Sequence, residues 1–130
     1  MTKSDHIDYW KRMALRDWQT VLALQAAKQN IQALFFAHLV IEKLLKAHFV
    51  KDNQENTPPL THNLEGLYNQ TNLDLLPVYF ERLSIINGWN IEGRYQDYMD
   101  KFYRLCTDDY VGSKIIESKE LMTCLLQELP

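Results

Sequence analysis

The sequence has little of what builds β-sheets or disulfide-bonded scaffolds. Among its 130 residues there are four glycines, four prolines and two cysteines. So few chain-breaking residues exclude a sheet with many tight turns and favour helices. The two cysteines, Cys106 and Cys124, are too few for a disulfide framework and form no C-x-x-C motif. We therefore expect reduced thiols and a cytoplasmic protein.

A long uncharged hydrophobic run is also missing. The most apolar stretch, Ile31–Val50, carries the charged residues Glu42, Lys43 and Lys46, whereas a membrane span needs about 20 predominantly apolar residues. Because Met1–Asp8 is polar and charged, we expect no signal peptide. These features predict a soluble protein with no membrane partner, in which the most apolar stretch is a core helix.

The charge of the chain is small but uneven. A net charge of −3 does not indicate a general nucleic-acid binder. Residues 1–51 have an excess of Lys and Arg, and residues 52–130 have an excess of Asp and Glu. Halves of opposite sign could pair across a dimer or present a basic face to a partner. Two solvated helix faces explain the same pattern, and we favour that simpler interpretation.

Apolar residues at helical spacing predict two long helices at the start of the chain. The first covers Asp5–Lys28, with Ser4 or Asp5 as its cap. The second covers Ile31–Lys51 and is apolar around most of its circumference, so we expect it at the centre of the domain. Its polar residues should share a narrow arc formed by Gln32, Glu42, Lys43 and Lys46.

The rest of the chain predicts a loop, two shorter helices, a connector and a final helix. Pro58-Pro59 marks the loop, because proline lacks an amide donor and restrains the residue before it. The predicted segments are the loop Asp52–Asn63, the helices Leu64–Gln70 and Leu73–Asn87, an aromatic connector Gly88–Cys106, and a last helix capped near Thr107. The chain thus predicts a single domain, an all-α, up-and-down bundle of four or five helices.

Short motifs are spread along most of the chain. The most specific lies in the second helix, where Phe35-Phe36-Ala37-His38 precedes Glu42-Lys43-Leu44-Leu45-Lys46-Ala47. The others are Tyr9-Trp10, Asp17, Pro58-Pro59, Thr61-His62-Asn63-Leu64 and Gly93-Arg94-Tyr95-Gln96-Asp97. In this order they resemble the motifs of the HEPN family (higher eukaryote and prokaryote nucleotide-binding domains). The resemblance implies a helical bundle, usually a homodimer and often encoded beside a minimal nucleotidyltransferase. Proposed family roles include RNA cleavage, nucleotide or RNA binding, and toxin–antitoxin function.

Two departures from the family pattern bear on activity. Gln96 stands where the resemblance leads us to expect proline, which leaves the shape of that loop open. Ribonuclease members carry an arginine followed, after four to six residues, by a histidine, and no arginine of this chain has one there. Metal-independent RNA cleavage needs a proton acceptor for the 2′-OH and a cation for the phosphate. Met99, which follows Arg94 at that spacing, cannot accept a proton.

Arg94, Tyr95 and Asp97 form the strongest local candidate for a site. As binding residues, Arg94 would hold a phosphate through two hydrogen bonds and Tyr95 would stack on a base. As structural residues, Arg94 and Asp97 would form an ion pair that fixes the loop, while Tyr95 would pack in the core. We favour the structural interpretation.

The second helix and the following loop supply further candidates. His38 and Glu42 lie four residues apart on one helix face; we expect a histidine at the core edge that hydrogen-bonds Glu42, rather than a metal pair. Lys43 and Lys46 would contact phosphates or serve as ordinary surface charges. His62 is expected to cap or orient the short third helix. The alternative for His62 is catalysis together with Arg94 across space.

The sequence therefore predicts a non-catalytic, homodimeric HEPN-type binding module. It would engage a nucleotidyltransferase partner, or a nucleotide or RNA ligand, and would need no metal or other cofactor. The first alternative is a ribonuclease toxin of a toxin–antitoxin pair, with a rearranged site that uses His62 or His38 with Arg94. The second is a structural homodimer without a ligand. The candidate ligand-binding residues are Arg94, Tyr95, Asp97, His38, Lys43, Lys46 and His62.

Overall fold

The computed structural model describes all 130 residues and contains α-helices but no strand. The all-α class predicted from composition and periodicity is therefore confirmed. None of the helices combines the length and the apolar character needed to cross a bilayer. The helices are α1 (Lys3–Ala26), α2 (Asn30–Asp52), α3 (Leu64–Tyr68), α4 (Pro77–Asn87), α5 (Gln96–Leu105) and α6 (Asp108–Gln127).

Helix α1 begins with a capping box rather than with either predicted cap. The Thr2 side chain accepts from the Asp5 amide, and the Asp5 carboxylate accepts from the Thr2 amide. Each residue thereby satisfies a free donor of the first turn, so Thr2 is the cap and neither Ser4 nor Asp5 is. At the other end, Lys28 adopts a left-handed φ of 58°. The short turn sends the chain back, so that α2 packs antiparallel along α1.

Helix α2 is the central rod of the bundle, as the sequence predicted. Its apolar side chains are buried around most of the circumference, because α1, α3, α4 and α6 all pack against it. Of the predicted polar arc, Gln32 is exposed and Lys43 is partly buried, whereas Glu42 is only 3% and Lys46 only 8% exposed. A charge that leaves water needs a partner, and the partners of these two residues form the site described below.

Helix α6 runs parallel to α2. At one end the Asn30 side chain donates to the Cys106 carbonyl and to the Asp108 carboxylate, each at 2.9 Å. At the other end the His48 ring lies 2.8 Å from the Leu125 carbonyl. The Thr107 side chain caps α6 by accepting from the Tyr110 amide, as predicted. The contacts of Asn30 and His48 fix the register of α6 along α2, and both helices contribute to the core.

Most helix bounds lie within two residues of the predicted ones, and two differences are larger. Helix α4 begins at Pro77 rather than at Leu73, and proline favours the first helical position because its ring presets φ. The connector Gly88–Cys106 is not irregular throughout, because it contains the amphipathic helix α5. Phe102 is the only buried residue of α5. The bundle therefore has one more helix than the largest number predicted, and the additional helix lies on its surface.

Candidate functional site

The family-like motif of α2 contains a buried carboxylate, Glu42, with two side-chain partners. Glu42 accepts from the Lys46 ammonium at 3.2 Å, through one oxygen. Its other oxygen lies 2.7 Å from Nδ1 of His62, which comes from the loop before α3. Lys46 belongs to the same motif as Glu42, whereas His62 comes from a motif 20 residues further along the chain. The loop is therefore tied to the middle of the central helix.

Two further side chains extend this arrangement to other parts of the chain. The Lys46 ammonium lies 5.3 Å from the centre of the Trp10 ring on α1, within range of a cation–π interaction. On the outer side, Nε2 of His62 lies 3.1 Å from the Glu92 carboxylate, which precedes α5. We call the whole group the Glu42 cluster, and its members are Trp10, His38, Glu42, Lys46, His62 and Glu92.

His38 is the most deeply buried member of the Glu42 cluster, with no exposed surface. Its Nε2 lies 3.2 Å from the His62 carbonyl, whereas its Nδ1 is 4.0 Å from Glu42 and has no hydrogen-bond partner. Burial lowers the pKa of His38, so the ring is neutral and donates to that carbonyl through Nε2. The predicted hydrogen bond to Glu42 and the predicted position at the core edge are both wrong.

The capping role predicted for His62 is also wrong. The cap of α3 is Asn63, whose side chain accepts from the Gly66 amide at 3.2 Å. The His62 ring turns away from the helix and lies between Glu42 and Glu92. The sequence could not distinguish these roles, because they depend on the path of the loop.

Lys43 and Lys46 were predicted as phosphate contacts or as ordinary surface charges. Lys43 pairs with the Asp17 carboxylate of α1, and both side chains are mostly buried. Lys46 pairs with Glu42. Each lysine thus has a carboxylate partner within the bundle. The interpretation as isolated surface charges is wrong, and an incoming phosphate would have to compete with these pairs.

The segment with Arg94 forms a turn at the surface. The Arg94 guanidinium lies 4.3 Å from the centre of the Tyr98 ring, and its Nε donates to the Asn90 carbonyl at 3.1 Å. Tyr98 in turn donates its hydroxyl to the Gly88 carbonyl. Tyr95 is 87% exposed. The predicted ion pair of Arg94 with Asp97 does not form, and the prediction that Tyr95 packs in the core is wrong.

Sequence reasoning missed two important members of this region. Glu92 was not singled out, although it connects the turn to His62; it belongs to no recognisable motif. Trp10 was named as part of the Tyr9-Trp10 motif and of the apolar stripe of α1, but its contact with Lys46 was not predicted, because that contact depends on how α1 packs. For Asp17 a signal existed, because it belongs to the first-helix pattern, but its partner Lys43 lies on another helix.

The chemistry available to the Glu42 cluster follows from the engaged ring of His62. Both of its nitrogens lie within 3.1 Å of a carboxylate oxygen. Nδ1 forms a hydrogen bond with Glu42 and Nε2 lies against Glu92, so each ring nitrogen has a carboxylate neighbour. The Arg94 guanidinium contacts Asn90 and Tyr98 rather than His62. The contacts of the cluster join the middle of α2, the loop before α3 and the turn before α5.

Comparison with known proteins identifies one family. A family model described as the HEPN domain matches residues 7–129, which is nearly the entire chain. No curated protein and no solved structure matches this chain. The matched range contains all members of the Glu42 cluster and the whole of the Arg94 turn.

Proposed function

The chain belongs to the HEPN domain family, and from this premise we propose that it is a binding module that does not cleave RNA. It acts as a homodimer and engages a nucleotidyltransferase partner, or a nucleotide or RNA ligand. The observation that carries the proposal is the position of His62, held by a carboxylate at each ring nitrogen. Cleavage would require a free base close to a cation.

The exposed turn at Arg94 and Tyr95 supports a role in recognition. Tyr95 presents 87% of its surface to solvent, and large aromatic side chains are frequent anchors of protein interfaces. The turn beneath it is held by the Arg94–Asn90 and Glu92–His62 contacts. A fixed backbone lowers the entropy lost on binding. An exposed aromatic ring on a well-held turn is therefore suited to recognising a partner.

The charges around the turn favour a protein partner. Glu92 and Asp97 lie beside Arg94 in the sequence, and both are exposed. Carboxylates repel a phosphate backbone, and nucleic-acid binding depends strongly on basic groups. A partner with a basic patch would complement this surface. A nucleotide remains the second candidate, because a base could stack on Tyr95 while Arg94 contacts a phosphate.

The test first identifies the neighbouring genes and co-expresses this chain with a minimal nucleotidyltransferase encoded there. ATP and a labelled RNA of about 15 nucleotides serve as separate probes. We expect the wild-type chain to retain the nucleotidyltransferase through purification. Tyr95→Ala should reduce retention at least tenfold, since an interface anchor is worth about 2 kcal/mol or more. The matched control is Tyr103→Ala, which removes another exposed tyrosine, 72% exposed, at the far end of α5.

Each result separates the candidates. Retention lost in Tyr95→Ala and kept in Tyr103→Ala supports the protein partner. Binding of ATP or RNA that depends on Arg94 and Tyr95, without retention of the enzyme, supports the second candidate. Absence of partner, nucleotide and RNA binding at micromolar concentrations would contradict the proposal.

A further inference from the structure

The loop before α3 presents the most exposed large apolar side chain of the molecule. Leu60 is 99% exposed, more than any other apolar residue of that size. It follows Pro58-Pro59 and precedes His62 by two residues. A single exposed leucine needs no explanation by itself. Whether Leu60 can serve as a contact therefore depends on how firmly the loop is held and on what lies around it.

The backbone on both sides of Leu60 is held in place. Pro58 is buried, and the ring of each proline fixes its own φ. The Thr61 amide donates to the Pro59 carbonyl at 3.0 Å, so Leu60 lies at the tip of a tight turn. After the turn, the His62 carbonyl lies 3.2 Å from the buried histidine ring of the Glu42 cluster and accepts from it. A side chain on a fixed turn loses little freedom when a partner covers it.

The loop and the Arg94 turn are joined at the surface. Nε2 of His62 lies 3.1 Å from the Glu92 carboxylate, and the two side chains are 47% and 59% exposed. Leu60 lies two residues before His62, and Tyr95 lies three residues after Glu92. Since an extended chain spans about 3.5 Å per residue, neither apolar residue can be far from this contact. A typical interface covers about 800 Å² of each partner, so one partner is large enough to cover both Leu60 and Tyr95.

The surface around these two side chains is acidic. In the segments 52–63 and 87–97, Arg94 is the only lysine or arginine. The same segments contain three exposed carboxylates, those of Glu55, Glu92 and Asp97. Opposite charges guide two surfaces together and disfavour partners of the same sign. The surface therefore suits a protein with apolar pockets and basic side chains at their rim, and it repels a phosphate backbone.

We infer that Leu60 is a second anchor for the protein partner that binds the Arg94 turn. Leu60 and Tyr95 enter apolar pockets of that partner, and the exposed carboxylates face its basic side chains. The contact between His62 and Glu92 positions the two anchors relative to one another. The inference rests on the proposed function and deepens it, because it assigns the surface that the partner covers and the chemistry that the partner presents.

The test measures the dissociation constant between the purified full chain and the minimal nucleotidyltransferase of the neighbouring gene by isothermal titration calorimetry. Leu60→Ala should weaken the complex about tenfold or more, because a few well-packed anchors dominate the binding energy of an interface. The matched control is Leu76→Ala, which shortens another exposed leucine, 64% exposed, in a cleft with Cys124 and Glu128 at the end of α6. This control should stay within about threefold of wild type.

The acidic character of the surface is tested separately. Asp97→Lys should weaken the complex about tenfold, since like charges across an interface are strongly unfavourable. Asp74→Lys, which changes an exposed aspartate before α4, should leave the dissociation constant unchanged. Raising the KCl concentration from about 50 to 500 mM should weaken the wild-type complex, because salt screens exposed charges. Far-ultraviolet circular dichroism of each variant checks that the helices form.

The possible results distinguish this inference from the proposed function. A complex weakened by Tyr95→Ala but not by Leu60→Ala would overturn the second anchor and leave the proposed function in place. Binding of ATP or RNA through Tyr95, without a protein complex, would do the same. Leu60-dependent binding to phosphatidylcholine vesicles, without a protein complex, would assign the leucine to a lipid surface instead. Absence of protein, nucleotide and RNA binding by wild type would overturn both the inference and the proposed function.

Discussion

The Glu42 cluster and the Arg94 turn both carry residues of the family motifs, but the two regions use them in opposite ways. In the Glu42 cluster, Glu42 and Lys46 are buried, and their contacts and those of His62 join α1, α2 and two loops. In the turn, the residues predicted to be structural are exposed and make few contacts. Motif residues within one chain can therefore differ in role, and burial rather than residue type distinguishes them.

The largest difference between the two regions should appear when one carboxylate is removed from each. Glu42→Ala leaves the buried Lys46 without its counter-charge, and such a loss costs about 3–5 kcal/mol of unfolding free energy. Asp97→Ala removes an exposed carboxylate and should cost about 0.5 kcal/mol or less. Urea unfolding followed by circular dichroism measures both. Equal losses of unfolding free energy in the two variants would show that burial of the carboxylate does not distinguish the two regions.

The ion pair between Lys43 and Asp17 extends the comparison to the packing of α1 on α2. Asp17→Ala should lower the unfolding free energy by about 2 kcal/mol, because hydrogen bonds to charged groups with little exposure are the stronger ones. Asp8→Ala is the matched control on the same helix, since the Arg12–Asp8 pair is mostly exposed. The control should cost about 0.5 kcal/mol or less. A cost for Asp17→Ala no greater than this control would show that the pair does not hold the helices together.

The pH dependence of stability should come from the buried core, because the segment Asn87–Cys106 contains no histidine. Burial lowers the pKa values of His38 and His48 below the ordinary histidine value of 6.5. Below pH 6.5 the unfolded chain therefore binds more protons than the folded chain, and stability falls as the pH falls. Above that pH the contribution is fully present.

His48→Gln isolates one of these two histidines. Each depressed histidine contributes a slope of at most about 1.4 kcal/mol per pH unit. The unfolding free energy of wild type should therefore decrease between pH 7 and pH 5, and His48→Gln should decrease less steeply. Urea unfolding at a series of pH values gives both slopes. Identical slopes would show that His48 does not titrate differently in the folded chain.

The smallest effect on stability should be that of Tyr95→Ala. The side chain is almost fully exposed, so its removal should change the unfolding free energy by about 0.5 kcal/mol or less. Thermal unfolding by calorimetry measures the change. A loss of several kcal/mol would mean that Tyr95 supports the turn. A binding defect of the variant would then no longer show that Tyr95 itself contacts the partner.

The sequence predicted the helices where a single element determines the pattern. The apolar circumference of α2 reveals its central position without knowledge of any neighbour. Thr107 precedes two acidic residues, and that local signal was sufficient to locate the start of α6. Helix α5 was missed because Gly88 and Gly93, which both precede its first residue, indicate a loop. Tyr95 at its cap also makes no side-chain hydrogen bond to the helix.

The candidate site was harder to predict, because its members come from separate segments. His38, Glu42, Lys46 and His62 were named from the motifs, but the contacts that they make with one another were not predicted correctly. The contact between His62 and Glu42 depends on the path of the loop around Pro58-Pro59, and that between His62 and Glu92 depends on the turn before α5. Neither path is encoded in a local pattern. The partners, however, decide whether His62 acts as a base or as part of the framework.

The role of His62 is the central claim, and it is tested most directly by a paired measurement on wild type and His62→Ala. RNA cleavage and the free energy of unfolding are determined on the same preparations. We predict no cleavage by either protein and a loss of about 1–3 kcal/mol of stability in the variant, because the buried Glu42 carboxylate loses a hydrogen-bond partner. Cleavage by wild type that disappears in an equally stable His62→Ala variant would contradict the account.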